Sequence, residues 1–199
     1  MLCNLCAAVS LPDPPQRCYR CLAECPSALC FDCQKSTPLS GVWSACNYEG
    51  AAQAALHYFK FERARSAADL LAQAIVEQLP NLPSRFLVVP LPTASRRARQ
   101  RGYDQAVELA KAISRKSGMS YKNLLARQGQ TRQLGANRAQ RQLQLARAWR
   151  IRAPDLVRDA NILLIDDVLT TGATIESAAA ILVRAGAKNI CAATFSQKL

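Results

Sequence analysis

Apolar positions along this chain follow two rhythms. The runs FLVVP at 86–90, NILLID at 161–166 and NICAATF at 189–195 are apolar on successive residues, the pattern of strands buried on both faces. Between them the spacing changes to three and four. SAADLLAQAIVEQL places Ala67, Leu70, Leu71, Ala74 and Leu79 on one helical face, with Ser66 as N-cap and Asp69 three residues on. YDQAVELAKAISRK at 103–116 gives a helix with Val107, Ala110 and Ile113 on its apolar side, and TIESAAAILVRAGA gives another, closed by Gly186. GVWSACNYEG, further upstream, alternates enough for a short strand or hairpin. Strands alternating with helices predict an α/β fold, a mostly parallel sheet flanked by helices. Ligands of such sheets sit beyond the carboxyl ends of the strands.

Composition adds an appendage to this layer. Half of the 199 residues are hydrophobic, enough for one domain with a full core. Seven of the nine cysteines fall before residue 36, among Pro12, Pro14, Pro15 and Pro26. That stretch is too short and broken for a core of its own, so a metal is expected to organise it. The expected division is a cysteine-rich metal module at 1–37, a connecting strand and helix unit at 38–84 packed on the core, and an α/β domain at 85–199. MLCNLCAAVSLPDPP does not read as a secretory signal, and no apolar run approaches the roughly 20 residues that span a bilayer. A cytoplasmic protein without membrane insertion is expected, with its thiols free for metal rather than paired.

Charge changes the picture again. Residues 93–152 hold fifteen Lys and Arg against Asp104 and Glu108, a net of +13, in a chain whose total is +12. One segment therefore carries the whole excess. It suits phosphates, on nucleic acid or on a small polyanion, unless it is merely a solvated helix face.

The candidate chemistry lies in ILLIDDVLTTGAT, at 162–174. A buried strand gains nothing from two adjacent carboxylates at its end, so Asp166 and Asp167 are expected to face a ligand. Thr170 to Thr174 lead into a helix whose first amides lack partners, and Gly172 permits close approach. Amides and threonine hydroxyls make a cup for a phosphate. The carboxylates would repel that phosphate and suit vicinal hydroxyls or a divalent cation instead. Phosphate at one end and a diol at the other describe a phosphorylated ribose. The competing reading is a strand end whose acids cap the next helix. The loop is neither a Walker loop nor a Rossmann fingerprint, lacking a Lys after the Gly and a second Gly.

This strand, acid pair and Thr-Gly-x-Thr turn resemble the phosphoribosyl pyrophosphate (PRPP) loop of type I phosphoribosyltransferases. RCYRCLAECPSALCFDC, YEG…ALHYFKF, VVPLPTASRRARQRGYDQA and TRQLGANRAQRQLQLARAW occur in the order seen in the ComF family of competence-associated proteins. The resemblance covers most of the chain. It implies an N-terminal zinc ribbon joined to a phosphoribosyltransferase-like domain. It assigns Asp166 and Asp167 to the ribose hydroxyls with magnesium nearby, and Thr170, Thr171, Gly172, Ala173 and Thr174 to the 5′-phosphate. It assigns Leu91, in the strand end VVPLP, with Arg96, Arg97, Arg99 and Arg101 to the pyrophosphate, and Gln133, Arg138 and Arg141 to a mobile hood. Asp104 and Gln144 stand where the family usually has Asn, which bears on the acceptor side.

Displacement of pyrophosphate from an anomeric carbon passes through an oxocarbenium-like state and needs no side-chain nucleophile. The chain fits, offering many guanidinium groups; its only histidine, His57, reads as a packed or capping residue. The acceptor is not specified by any residue. Three C-x-x-C pairs occur, Cys3/Cys6, Cys18/Cys21 and Cys30/Cys33, with Cys25 and Cys46 extra and Cys191 in a strand. Two such pairs make a tetrahedral, structural zinc site. Cys18, Cys21, Cys30 and Cys33 form one candidate set, and Cys3, Cys6, Cys18 and Cys21 another. Three functional readings follow: a PRPP-dependent transferase linked to DNA uptake, a competence factor gripping single-stranded DNA through the 93–152 segment, with the cysteine module a surface for DNA or for competence-machinery proteins, and a PRPP-sensing regulator. The aromatic residues a strand-binding groove would use are few in that segment, namely Tyr103, Tyr121 and Trp149.

Overall fold

The computed structural model describes residue 11 and residues 13–61, 67–93, 102–128 and 148–198. In chain order its elements are α1 (Phe31–Gln34), β1 (Gly41–Asn47), α2 (Gly50–Phe61), α3 (Ala67–Gln78), β2 (Phe86–Pro90), α4 (Gln105–Ser117), β3 (Ser120–Tyr121), β4 (Leu125–Arg127), β5 (Trp149–Ile151), a short 3₁₀ turn (Pro154–Leu156), β6 (Asn161–Leu169), α5 (Ala173–Arg184) and β7 (Asn189–Gln197). The main sheet runs β1-β7-β6-β2-β3, and every pairing in it is parallel. This is the expected mostly parallel sheet flanked by helices. β4 and β5 form a separate antiparallel ribbon, Leu125 opposite Ile151 and Arg127 opposite Trp149. No helix among the described residues is long and apolar enough to cross a membrane.

The apolar strands are buried on both faces because each face carries its own core. Leu163 and Ile165 of β6 point into a cluster with Leu56 and Phe59 of α2, Leu71 and Ile75 of α3, and Leu109 and Ile113 of α4. Ile162 and Leu164 point the other way, into a cluster with Ile175, Ala178 and Leu182 of α5. The period of two along a strand thus distributes one apolar run between two helical layers.

Three local expectations change. GVWSACNYEG forms no hairpin; β1 lies parallel to β7, Gly41 opposite Cys191, and so joins the main sheet. The segment 50–61, to which the pattern assigns no helix, is α2, held by burial of Ala52, Leu56 and Phe59. In α3 the covered stripe is Ala67, Ala68, Leu71, Ala72 and Ile75, while Leu70 is exposed; the packing follows the i, i+4 rows rather than Leu70. Ser66 lies outside the described residues. In α4 the buried side is Gln105, Ala106, Leu109, Ala110, Ala112 and Ile113, and Asp104 is its N-cap.

The cysteine module is held to the core by apolar packing. Cys18, Tyr19, Ala28, Leu29 and Leu39 belong to the same cluster as α5 and β6. Ala28 donates its amide to Val42 O of β1 at 3.0 Å, and Gln197 of β7 donates to Arg17 O at 3.0 Å. The module is therefore a patch on the α5 side of the sheet, sharing its core.

Candidate active site at the carboxyl end of the sheet

The strand order sets the place. From β2 the chain runs through α4 to β3 on one side of the sheet, and from β6 through α5 to β7 on the other. α4 and α5 pack on opposite faces. β2 and β6 are thus neighbours at the point where the winding reverses, the position at which open α/β sheets leave a crevice. Pro90 pairs with Ile165, and Leu91 donates its amide to Ile165 O at 2.9 Å. Leu91, just past β2, and Asp166, three residues before the end of β6, therefore lie side by side. Leu91 itself is 2 % exposed, so its backbone rather than its side chain borders the crevice.

Asp166 and Asp167 stand at the end of the fully buried ILLI run. Asp166 accepts the amide of Asp167 at 2.9 Å. Burial pushes the Asp166 carboxyl well above its ordinary value, and the adjacent Asp167 carboxylate adds to that rise. Asp167 is not free: Lys60, in the last turn of α2, lies 2.5 Å from its Oδ2. Part of the acid pair is thus neutralised internally. The neighbouring end of β7 is polar and closed, with Thr194, Ser196 and Gln197 buried and Thr194 bonded to Ser44 at 2.7 Å.

After β6 the chain turns at Thr170 and Thr171, both exposed, into α5. Gly172 is the N-cap at φ +72, and its carbonyl accepts Glu176 N–H at 2.8 Å. The amides of Ala173, Thr174 and Ile175 precede that first intrahelical bond and have no acceptor within the helix. Ala173 N–H reaches Thr171 Oγ1 at 3.5 Å, a marginal contact. The acids do not cap α5, so the competing reading of this strand end does not describe the structure. The first turn is buttressed from two sides. Trp149 of β5 donates to Ser177 Oγ at 2.9 Å, and Ser177 donates to Thr174 O at 2.8 Å. On the other side the Tyr19 ring packs on Gly172.

Arg96, Arg97, Arg99, Arg101, Gln133, Arg138, Arg141 and Gln144 lie outside the described residues. What the structure gives is their frame: the first group follows Thr93, and the second falls between β4 and β5. Asp104 tethers the first frame, accepting from Thr93 N at 2.9 Å, Thr93 Oγ1 at 3.2 Å and Ala106 N at 3.1 Å. The departure from Asn thus supplies an N-cap and a loop anchor: an Asn could cap α4 through its one oxygen, but its amide nitrogen could not accept the Thr93 amide that Asp104 Oδ2 accepts.

Cys18, Cys21, Cys30 and Cys33 bring their sulfurs within 4.8 Å of one another. Cys3 and Cys6 lie outside the described residues. A tetrahedron with Zn–S bonds of about 2.3 Å has S–S edges of about 3.8 Å, and Cys21 and Cys30 are already 3.6 Å apart. The donor set fits a four-thiolate metal such as zinc. Burial opposes ionisation of Cys18, but amides of Cys30, Cys21 and Arg20 outweigh it and bring that thiol down to about 6. Burial, then hydrogen bonds with Cys21, Cys30 and Cys18, raises Cys33 to about 12. Four thiols this close oppose one another's ionisation, a conflict that a cation would relieve. Cys25 is turned to Ser27 O at 2.7 Å. Cys46 and Cys191 are buried in the core.

Lys60, Tyr19, Glu176 and Trp149 escape the sequence reading as site residues. Lys60 and Trp149 reach the site from distant segments, which leaves no local spacing to read. Tyr19 had one signal available, its place between two metal-spaced cysteines. His57 is exposed on α2.

A family model for the phosphoribosyl transferase domain matches residues 71–199. The chain is 26 % identical to the DNA utilization protein YhgH of Salmonella typhi, over 94 % of this chain and 81 % of that one. It is 29 % identical to the competence protein ComFC of Streptococcus pneumoniae, over 95 % and 84 %. A solved structure titled as the allosteric regulatory enzyme of purine biosynthesis aligns at TM-score 0.46 and 15 % identity, over 66 % of this chain and 25 % of that larger one. The chain belongs to the phosphoribosyl transferase domain family, within its ComF group.

Proposed function

We propose that the chain binds PRPP as its magnesium complex at the carboxyl end of β6 and acts as a phosphoribosyltransferase-like protein in DNA uptake. The observation that carries this reading is the sequence of groups at one crevice: an acid pair on the central strand, two exposed threonines, then the first-turn amides of α5. The amides and the Thr170, Thr171 and Thr174 hydroxyls would take the 5′-phosphate. Asp166 and Asp167 would take the ribose hydroxyls, with the diol competing against Lys60 for Asp167. The link to DNA uptake rests on the names of the relatives.

Magnesium, arriving on the pyrophosphate, would offset the charge of the leaving group. The chain's own residues would bind and orient. The strand end at Leu91 offers backbone to the pyrophosphate, and Arg96, Arg97, Arg99 and Arg101 would meet its growing negative charge. Closure by the segment holding Gln133, Arg138 and Arg141 would exclude water from the cationic sugar. Zinc at Cys18, Cys21, Cys30 and Cys33 would be structural, since four thiolates leave no open position.

The test is a pyrophosphate-release assay with Mg–PRPP and a panel of amines and bases, run beside calorimetry. Release with one acceptor class supports the transferase. Tight binding with no release across the panel turns the reading toward a PRPP sensor, and absence of binding overturns it. The basic 93–152 segment supports single-stranded DNA as a second ligand. Its aromatic residues do not help: Tyr103 and Trp149 are buried, and Tyr121 is partly buried. That reading expects affinity falling steeply with salt, and salt-independent binding would contradict it.

A further inference from the structure

The cysteine module and the candidate phosphate loop meet at four residues. Tyr19 and Arg20 are the two residues between the cysteines of the Cys18/Cys21 knuckle, and both reach the first turn of α5. Tyr19 donates its hydroxyl to Glu176 Oε1 at 2.6 Å, and Arg20 Nε lies 3.3 Å from the same oxygen. The Tyr19 ring fills the space beside Gly172 so closely that a Cβ there would overlap its Cε2 edge. Tyr19 is 7 % exposed and its amide donates to Ala28 O at 2.9 Å, so the ring is fixed from both ends. Arg20 is held by the module as well, donating to Cys33 O at 3.0 Å and Ser36 Oγ at 2.6 Å, while its amide faces Cys18 Sγ at 3.5 Å. The thiols that would bind metal and the loop that would bind phosphate are thus joined through two adjacent side chains.

The contact has a charge consequence. Glu176 sits in the first turn of α5, where its carboxylate favours the helix but opposes any phosphate arriving at the same amides. Arg20 and the Tyr19 hydroxyl offset that carboxylate and hold it to one side. Gly172, at φ +72, is the residue whose backbone sets the cup.

We propose that the cysteine module is a clamp on the phosphate loop: Tyr19 and Arg20 fix Gly172 and Glu176, so that metal held by the four cysteines sets the order of the loop and its affinity for a phosphate ester. The proposal rests on residues 170–174 being the phosphate loop, as argued above. Tyr19 and Arg20 are positioning residues; they act through Gly172 and Glu176.

The full chain, zinc-loaded, is compared with Tyr19→Ala and Tyr19→Phe by hydrogen–deuterium exchange without ligand, by zinc content, and by Mg–PRPP calorimetry. Tyr19→Ala should keep one zinc per chain and speed exchange of the hydrogen-bonded amides at 176–179, the first protected turn of α5, by about tenfold, the weight of one charge-assisted hydrogen bond. Exchange at 176–179 should rise by more than exchange in β2 and β6, which share the core with Tyr19, and that difference separates a local release from general destabilisation. Mg–PRPP affinity should fall by about tenfold. Tyr19→Phe keeps the ring on Gly172 and should recover part of both effects, and chelating the zinc of the wild type should reproduce the Tyr19→Ala exchange pattern at 176–179. If Tyr19→Ala and zinc-stripped wild type exchange at 176–179 as zinc-loaded wild type does, the clamp is overturned. A wild type that ignores Mg–PRPP overturns the phosphate reading instead, while the ligand-free exchange still decides the clamp.

Discussion

At the scale of single residues, Asp166 concentrates the tension in this site. Burial first, and the Asp167 charge second, raise its carboxyl well above the usual 3.8. The folded chain therefore holds that proton more tightly than the unfolded chain. No stability is lost while both forms are protonated, and a cost grows as pH rises through the folded value. Asp166→Asn should accordingly raise the melting temperature of the ligand-free protein at about pH 8, with the gain shrinking as pH is lowered toward 3.8. Thermal unfolding across a pH series checks this, and a lower melting temperature for the variant at every pH would contradict it. A residue that destabilises its own fold is the kind retained for a ligand. The acid pair was legible in the sequence because an apolar run ending in two carboxylates has no structural reason to do so. Lys60 was not, because its ion pair with Asp167 joins α2 to β6 across segments that share no pattern.

At the scale of elements, the start of α5 is where separate parts of the chain converge. Trp149 bonds Ser177 from the ribbon, and Tyr19 covers Gly172 from the module. Trp149→Phe loses one hydrogen bond and leaves part of the indole's space unfilled, so it should cost at least about 1 kcal/mol in denaturant unfolding. No change in midpoint would mean that Ser177 does not hold the ribbon. Gly172→Ala meets two obstacles, a left-handed φ and the Tyr19 ring, and should cost about 2 kcal/mol or more. Adding Tyr19→Ala should remove the steric part, so the double variant should lose less than the sum of the two single ones. Additive losses would show that the ring and the glycine do not touch. The long buried strands were readable because continuous apolar runs have few other uses. β1 was harder: its alternation is shared by hairpins and edge strands, and only its register against β7 decides between them. The stripe of α3 was misplaced at Leu70 because packing against α4 and β1 selects one row among the several that an alanine-rich helix offers.

At the scale of the whole molecule, the cysteine module and the sheet are one cooperative body on the α5 side. Tyr19, Leu29 and Leu39 share a cluster with Val42, Ile175 and Leu182. Removing the metal should loosen more than the module. Zinc-stripped protein, and a Cys30→Ser variant, should melt at least about 5 °C lower than the zinc-loaded chain, since about 1 kcal/mol corresponds to 2–4 °C at this size. An unchanged melting temperature would mean that the module folds without metal or apart from the core. The cysteine spacing announced a metal site and left two ligand sets open; spatial convergence of Cys18, Cys21, Cys30 and Cys33 is a property of the fold that spacing does not contain.

PRPP binding at this site requires the acids to grip a sugar diol while the bend after them holds its phosphate. The direct measurement is calorimetric titration of Mg–PRPP into zinc-loaded wild type and into the Asp166→Asn, Asp167→Asn double variant, with circular dichroism matching their folds. The wild type should bind, and the double variant should lose about a hundredfold or more in affinity, the loss of two charge-assisted contacts. Equal affinity in the two proteins would contradict it.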